Sequence, residues 1–255
     1  ADMGWSSDSI DLDDWMKIYC EARYGGYPDA MEEAWKLFRK TAYSSLYSYP
    51  RFTWQTVIPD QRRISKIDLS DDYLQAIRLY ASCADELKNS ELYRNDLIEF
   101  VSYYVAAKAE IFYKQALKDD SENRVLAAQR NLQQTVDLLM DVDKLLASHP
   151  LYRLEEWVEL ARNSGTTLQE KDAYEANAKR LITSWGGIQE DYAARFWSGL
   201  IKDYYIPRIQ LYFTKDRNKI REWEEQWITS PWSNSTTPFD DPVKAALNLI
   251  EKTNK

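Results

Sequence analysis

Apolar residues recur at spacings of three and four along almost the whole chain, and helix start and stop signals stand where that period needs them. Asp11 is placed to cap a helix carrying Trp15, Ile18, Tyr19 and Ala22, ended by Gly25-Gly26, with Pro28 in the first turn of the next. That second helix is expected to pack through Ala30, Ala34, Leu37, Phe38 and Ala42. Residues 48–69, interrupted by Pro50, Pro59 and Arg62-Arg63, break the period and read as a long connection, a type of loop that often carries function.

Ser70-Asp71-Asp72 opens a helix with Tyr73, Leu74, Ile77, Tyr80, Ala81 and Ala84 on one stripe. Asn89-Ser90 closes it and opens a longer one, to about Asp119, through Tyr93, Leu97, Phe100, Val101, Tyr104, Val105, Ile111 and Phe112. Residues 121–148 follow as its antiparallel partner, with Val125, Leu132, Val136, Leu139, Val142 and Leu146, and His149-Pro150 ends it. Further helices are expected over 153–163, stopped by Gly165, and over 167–184, where Thr167 and Glu170 form a capping-box pattern. Another runs from Asp191 to Phe213, kinked at Pro207, and shorter ones cover 216–228 and 241–252. Residues 230–238 read as a loop. No alternating stretch rises above this period and no fixed repeat is visible. The pattern therefore predicts an all-α fold, an irregular bundle of about nine or ten helices in one domain over residues 1–255.

Composition agrees and excludes several functions. Seven glycines and eight prolines in 255 residues are too few for a turn-rich sandwich or barrel. A net charge of −8 offers no basic field to nucleic acid or an anionic membrane, so neither is expected as a partner. No apolar run approaches the roughly 18 residues of a membrane span, and the opening Ala1-Asp2-Met3-Gly4-Trp5 lacks a leader's pattern, so the chain reads as an excised or processed piece. One histidine, His149, and two cysteines, Cys20 and Cys83, cannot make the usual zinc sites, and no cofactor is expected. His149, at a helix end before proline, reads as a cap or surface residue. Acidic runs at 11–14, 32–33 and 119–122 fall at helix starts or turns, where the macrodipole accounts for them. Ten tryptophans are unusual. They serve either bulky helix packing or the stacking of sugar rings.

The most informative segment runs from Ile182 to Arg208. Trp185-Gly186-Gly187 turns the chain between two helices, so the Trp185 indole either faces a cleft or plugs the helix junction. Asp191 is either an N-cap or a ligand contact, and Tyr192 either lines the site or packs beneath the turn. The run Trp185-Gly186, Asp191-Tyr192-Ala193, Trp197-Ser198-Gly199-Leu200 and Tyr204-Tyr205-x-Pro207-Arg208 resembles the C-terminal part of the α-N-acetylglucosaminidases, family 89 of the glycoside hydrolases. Gly4-Trp5 with Asp11-Leu12-x-x-Trp15, Ala22-Arg23-Tyr24-Gly25 with Pro28-Asp29-Ala30, Ala34-Trp35, and Tyr93-Arg94-x-Asp96-Leu97 are similar to the same region. The resemblance is collinear over about residues 3–213, leaving 214–255 as a C-terminal extension, and the turn Gly187–Glu190 is shorter than in relatives.

The resemblance implies an all-α domain packed on an upstream (β/α)8 barrel of the same polypeptide, the barrel carrying both catalytic carboxyls of a retaining enzyme. Such carboxyls stand roughly 5–5.5 Å apart. It implies a glycan substrate ending in α-linked N-acetylglucosamine, a secreted, periplasmic or lysosomal setting, and no catalytic residue in this chain. Trp185, Gly186, Asp191 and Tyr192 are the implied substrate-binding residues. The rival reading is a stand-alone helical carbohydrate-binding or protein-interaction domain. An independent glycosidase using Glu190 and Asp191 is disfavoured, because adjacent residues entering a helix point in different directions.

Overall fold

The computed structural model describes residues 9–44, 52–56, 70–185, 194–214, 216–233 and 235–253. Among them are eleven α-helices, ten of seven residues or more. They are α1 Leu12–Tyr24, α2 Asp29–Lys40, α3 Asp71–Ser82, α4 Ala84–Leu87, α5 Glu91–Ser121, α6 Val125–Leu146, α7 Leu154–Asn163, α8 Leu168–Leu181, α9 Ile206–Tyr212, α10 Arg217–Thr229 and α11 Pro242–Thr253. A 3-10 turn, Thr53–Gln55, and a π-helical turn, Ile201–Tyr205, complete the set. No strand occurs among the described residues, only an isolated parallel bridge between Arg153 and Ser198. The expected all-α fold is observed. Contacts group the residues into two compact units, one of 1–48, 68–101 and 243–255, the other of 49–67 and 102–242.

In the first unit the local signals form as read. The Asp11 carboxylate accepts hydrogen bonds from the Asp13 and Asp14 amides at 2.8 and 3.1 Å, satisfying donors that a helix start leaves open. Gly25 ends α1 at φ +83°, a left-handed position where a side chain is disfavoured. Ser70 caps α3 by accepting from the Tyr73 amide at 3.2 Å. On α2 Ala34 and Phe38 are buried as expected, together with Met31 and Trp35, whereas Ala30 and Leu37 are only half-buried and Ala42 is exposed. The larger side chains outweigh the alanines and turn the helix toward themselves.

Its core is aromatic. Tyr80 and Tyr93 stack at 4.9 Å, Phe38 lies 4.7 Å from Phe100, and the rings of Tyr80 and Tyr93 meet Tyr24 edge-on. Two of the resemblance motifs meet here. Arg23 makes a bidentate pair with Asp96 at 2.7 and 2.5 Å, and the Tyr24 hydroxyl donates to the same carboxylate at 2.6 Å. The pair holds the Arg23 guanidinium in its charged form, its pKa well above the ordinary value.

In the second unit, α6 lies beside the later part of α5, with the Thr135 hydroxyl reaching the Ala109 carbonyl at 3.5 Å. Here the stripe on α5 departs from expectation: Ile111 is exposed, Phe112 half-buried, and Ala106, Ala109, Glu110, Tyr113 and Ala116 are inside. Helix α6 starts at Val125, later than expected, because Asn123 takes a left-handed turn at φ 59°. Its Val125 is exposed. The described part of the expected loop 48–69 is not at the surface. Phe52, Thr53, Trp54 and Gln55 are all buried, and the Glu110 carboxylate accepts the Thr53 amide at 2.8 Å and its hydroxyl. Burial pushes the Glu110 pKa up, against the Thr53 hydrogen bonds and Lys114.

Candidate functional site

Trp185 sits at the end of α8. The capping box holds the start of that helix: the Thr167 hydroxyl accepts the Glu170 amide at 3.2 Å, and the Glu170 carboxylate accepts the Thr167 amide at 3.0 Å. At its C-terminal end the Trp185 and Thr183 amides both donate to the Arg180 carbonyl, at 3.0 and 3.2 Å, winding the chain off the helix. Ile182 and Thr183 are buried beneath that turn, while Trp185 is 47% exposed. Gly186, Asp191 and Tyr192 lie outside the described residues.

Downstream of them the helix expected from Asp191 to Phe213 is corrected. Residues 194–197 are irregular, and helical structure opens only around Leu200. Ser198 instead bridges to the segment before α7: its amide donates to the Tyr152 carbonyl at 2.8 Å, and its carbonyl accepts the Leu154 amide at 3.0 Å. Gly199 follows at φ +82°, and a Cβ there would stand 3.2 Å from Leu154 and from Trp232. From there the helical structure runs on through Pro207. The Ile206 amide bonds to the Ile201 carbonyl, giving a π-helical turn that widens the chain just ahead of the residue with no donor.

A buried carboxylate organises this corner. Asp143 accepts the amides of Gly199 at 2.8 Å and Lys202 at 3.0 Å and the hydroxyls of Thr236 at 2.6 Å and Ser198 at 3.4 Å. Burial raises its pKa, while the Thr236 hydroxyl and the Lys202 and Gly199 amides oppose the rise. The sequence reading missed Asp143. Its signal was a carboxylate lying on the apolar stripe of Leu139, Val142 and Leu146. His149, expected as a cap or surface residue, is instead buried, its Nδ1 accepting the Leu151 amide at 3.1 Å within the turn between α6 and α7.

The motif Tyr204-Tyr205-x-Pro207-Arg208 forms a second buried network. Arg208 donates to Glu224 at 3.0 Å, to the Tyr204 hydroxyl at 3.1 Å and to the Gln55 carbonyl at 2.7 Å, and the Tyr204 hydroxyl donates to Glu224 at 2.8 Å. These groups fix the backbone that continues from the Trp185 turn. Among the described residues no cluster of three or more His, Cys, Asp or Glu is placed to hold a metal ion, and no helix is long and apolar enough to cross a membrane.

Comparison with known proteins gives this geometry a family. The chain is 29% identical to human (Homo sapiens) α-N-acetylglucosaminidase over 285 aligned positions, covering 99% of this chain and 37% of that protein. Its fold matches a family 89 glycoside hydrolase from Clostridium perfringens with a TM-score of 0.84 and 22% identity, over 98% of this chain and 32% of the other. That bacterial protein has been solved with PUGNAc and, in another structure, with its substrate GlcNAc-α-1,4-galactose. The chain thus spans about a third of the length of the relatives it matches. The family model for the α-N-acetylglucosaminidase C-terminal domain matches residues 15–252, so it runs through the segment after Phe213. With that match covering nearly its whole length, the chain belongs to the α-N-acetylglucosaminidase C-terminal domain family of the family 89 glycoside hydrolases.

Proposed function

We propose that this chain is the helical part of a retaining α-N-acetylglucosaminidase that removes terminal α-linked N-acetylglucosamine from glycans. It packs on an upstream (β/α)8 barrel of the same polypeptide and helps to close the sugar pocket. In that enzyme one barrel carboxyl protonates the leaving oxygen and the other attacks the anomeric carbon, and water then releases the sugar from the enzyme. This chain supplies no catalytic carboxylate. Trp185, Gly186, Asp191 and Tyr192 face the substrate, with the Trp185 indole covering the apolar face of the sugar.

The observation that carries the reading is the half-exposed Trp185 at the end of α8, in a chain matched by the family over residues 15–252. The test is Trp185→Ala in the full-length enzyme. Loss of an indole surface covered by substrate lowers kcat/KM about ten- to a hundredfold, equivalent to roughly 1.5–3 kcal/mol, at an unchanged Tm. Normal kcat/KM in a well-folded variant, or a lowered Tm as the main effect, removes Trp185 from the site.

A further inference from the structure

Three of the ten tryptophans line one cleft within the second unit. Trp223 and Trp227 come from one face of α10 and Trp232 from the loop after it, around a cleft of about 520 Å³. We propose that this cleft is a binding site for a hexopyranose unit of a glycan, seated with its C–H face on the indoles and its hydroxyls toward Lys202, Asp203 and Gln226. The site goes beyond the role proposed for Trp185 and does not rest on it.

The volume lies within the roughly 300–1,000 Å³ of small-molecule sites. Its rings are half-buried and set in place before any ligand arrives. Tyr204 stacks on Trp223 at 5.5 Å and lies 4.8 Å from Trp227, and the Lys179 ammonium stands 4.9 Å from the Trp227 ring. Trp232 is held twice: its amide donates to the buried Glu175 carboxylate at 2.5 Å, and its indole nitrogen donates to Asp203 at 3.1 Å. Lys179 in turn donates to Glu175 and to the Ser230 carbonyl, which fixes the loop that carries Trp232. Ordering these side chains is therefore complete in the free protein, which removes a cost that binding otherwise bears.

The rim chooses the ligand. A purely apolar ligand would take water from the Lys202 ammonium, the Asp203 carboxylate and the Gln226 amide without replacing its hydrogen bonds, an unfavourable exchange. A pyranose has both surfaces needed, an apolar face for the indoles and hydroxyls that donate to a carboxylate and accept from an ammonium or amide. Asp203 and the net charge of −8 disfavour a phosphate ligand.

The test is a titration of the 15N-labelled chain, and of the chain joined to its upstream domain, with methyl α-N-acetylglucosaminide and with methyl β-galactoside, followed at the assigned indole N–H signals. The expected result is saturable, coincident shifts of Trp223, Trp227 and Trp232 with at least one glycoside, at a Kd of about 1–10 mM. Trp223→Ala weakens that binding about tenfold and Gln226→Ala about threefold, with unchanged far-ultraviolet circular dichroism. Trp185→Ala leaves it intact. Shifts confined to Trp185, or no shift at the three indoles, overturn the proposal while leaving the role of Trp185 standing. Binding by the isolated chain that vanishes in the joined protein overturns it too, because the cleft is then an interdomain contact.

Discussion

Arg208 and Glu224 form an ion pair with side chains only 2% and 6% exposed, and their energetics differ from those of a surface pair. Two buried charges lose most of their hydration, and that loss is offset only while both partners and their hydrogen bonds are present. Glu224→Gln removes this counter-charge from the buried guanidinium and is expected to destabilise the chain by about 3–5 kcal/mol in urea unfolding. Arg208→Met combined with Glu224→Leu removes both charges and restores a good part of the loss. If the double variant is no more stable than Glu224→Gln, the network contributes through the Gln55 and Tyr204 hydrogen bonds more than through charge.

Helix α8 depends on its first turn. The Thr166 hydroxyl, followed by the Thr167 and Thr166 amides, donates to Glu170 and holds its pKa down to about 2, from an ordinary value of 4.5. The folded value lies below the unfolded one, so the contribution is complete above the unfolded pKa and is lost as pH falls from about 4.5 through about 2. Glu170→Gln keeps an acceptor for the same amides but does not titrate. Between about pH 5 and pH 2 the Tm of the parent chain should therefore fall further than that of Glu170→Gln. Parallel Tm profiles would mean that the carboxylate makes no difference to the stability of the folded helix.

Across the molecule, what was legible in the sequence is what local chemistry decides. Asp11, Gly25, Ser70 and the pair Thr167 and Glu170 act within a few residues of themselves, so their spacing suffices to place helix ends. The buried carboxylates were not legible, because their partners are distant in the chain: Glu110 meets Thr53 across 57 positions and Asp143 meets Gly199 across 56. The same separation turned an expected loop into a buried element, since Gln55 is held by Arg208 from 153 positions away. The π-helical turn arises where Pro207, the Asp143 anchor and Gly199 act together, and periodicity does not register such a combination. At the candidate site Trp185 is exposed, while Gly186, Gly187, Asp191 and Tyr192 lie outside the described residues.

A chain that spans about a third of its relatives bears directly on where the chemistry is carried. The decisive measurement is the rate of hydrolysis of an aryl α-N-acetylglucosaminide by the purified chain and by the same chain joined to its upstream domain. If both carboxyls belong to the barrel, as proposed, acid–base and nucleophilic assistance are lost together in the isolated chain, many orders of magnitude in rate, so the chain alone should be silent and the joined protein active. Turnover by the isolated chain that survives exhaustive purification, or a joined protein without activity, would contradict this assignment.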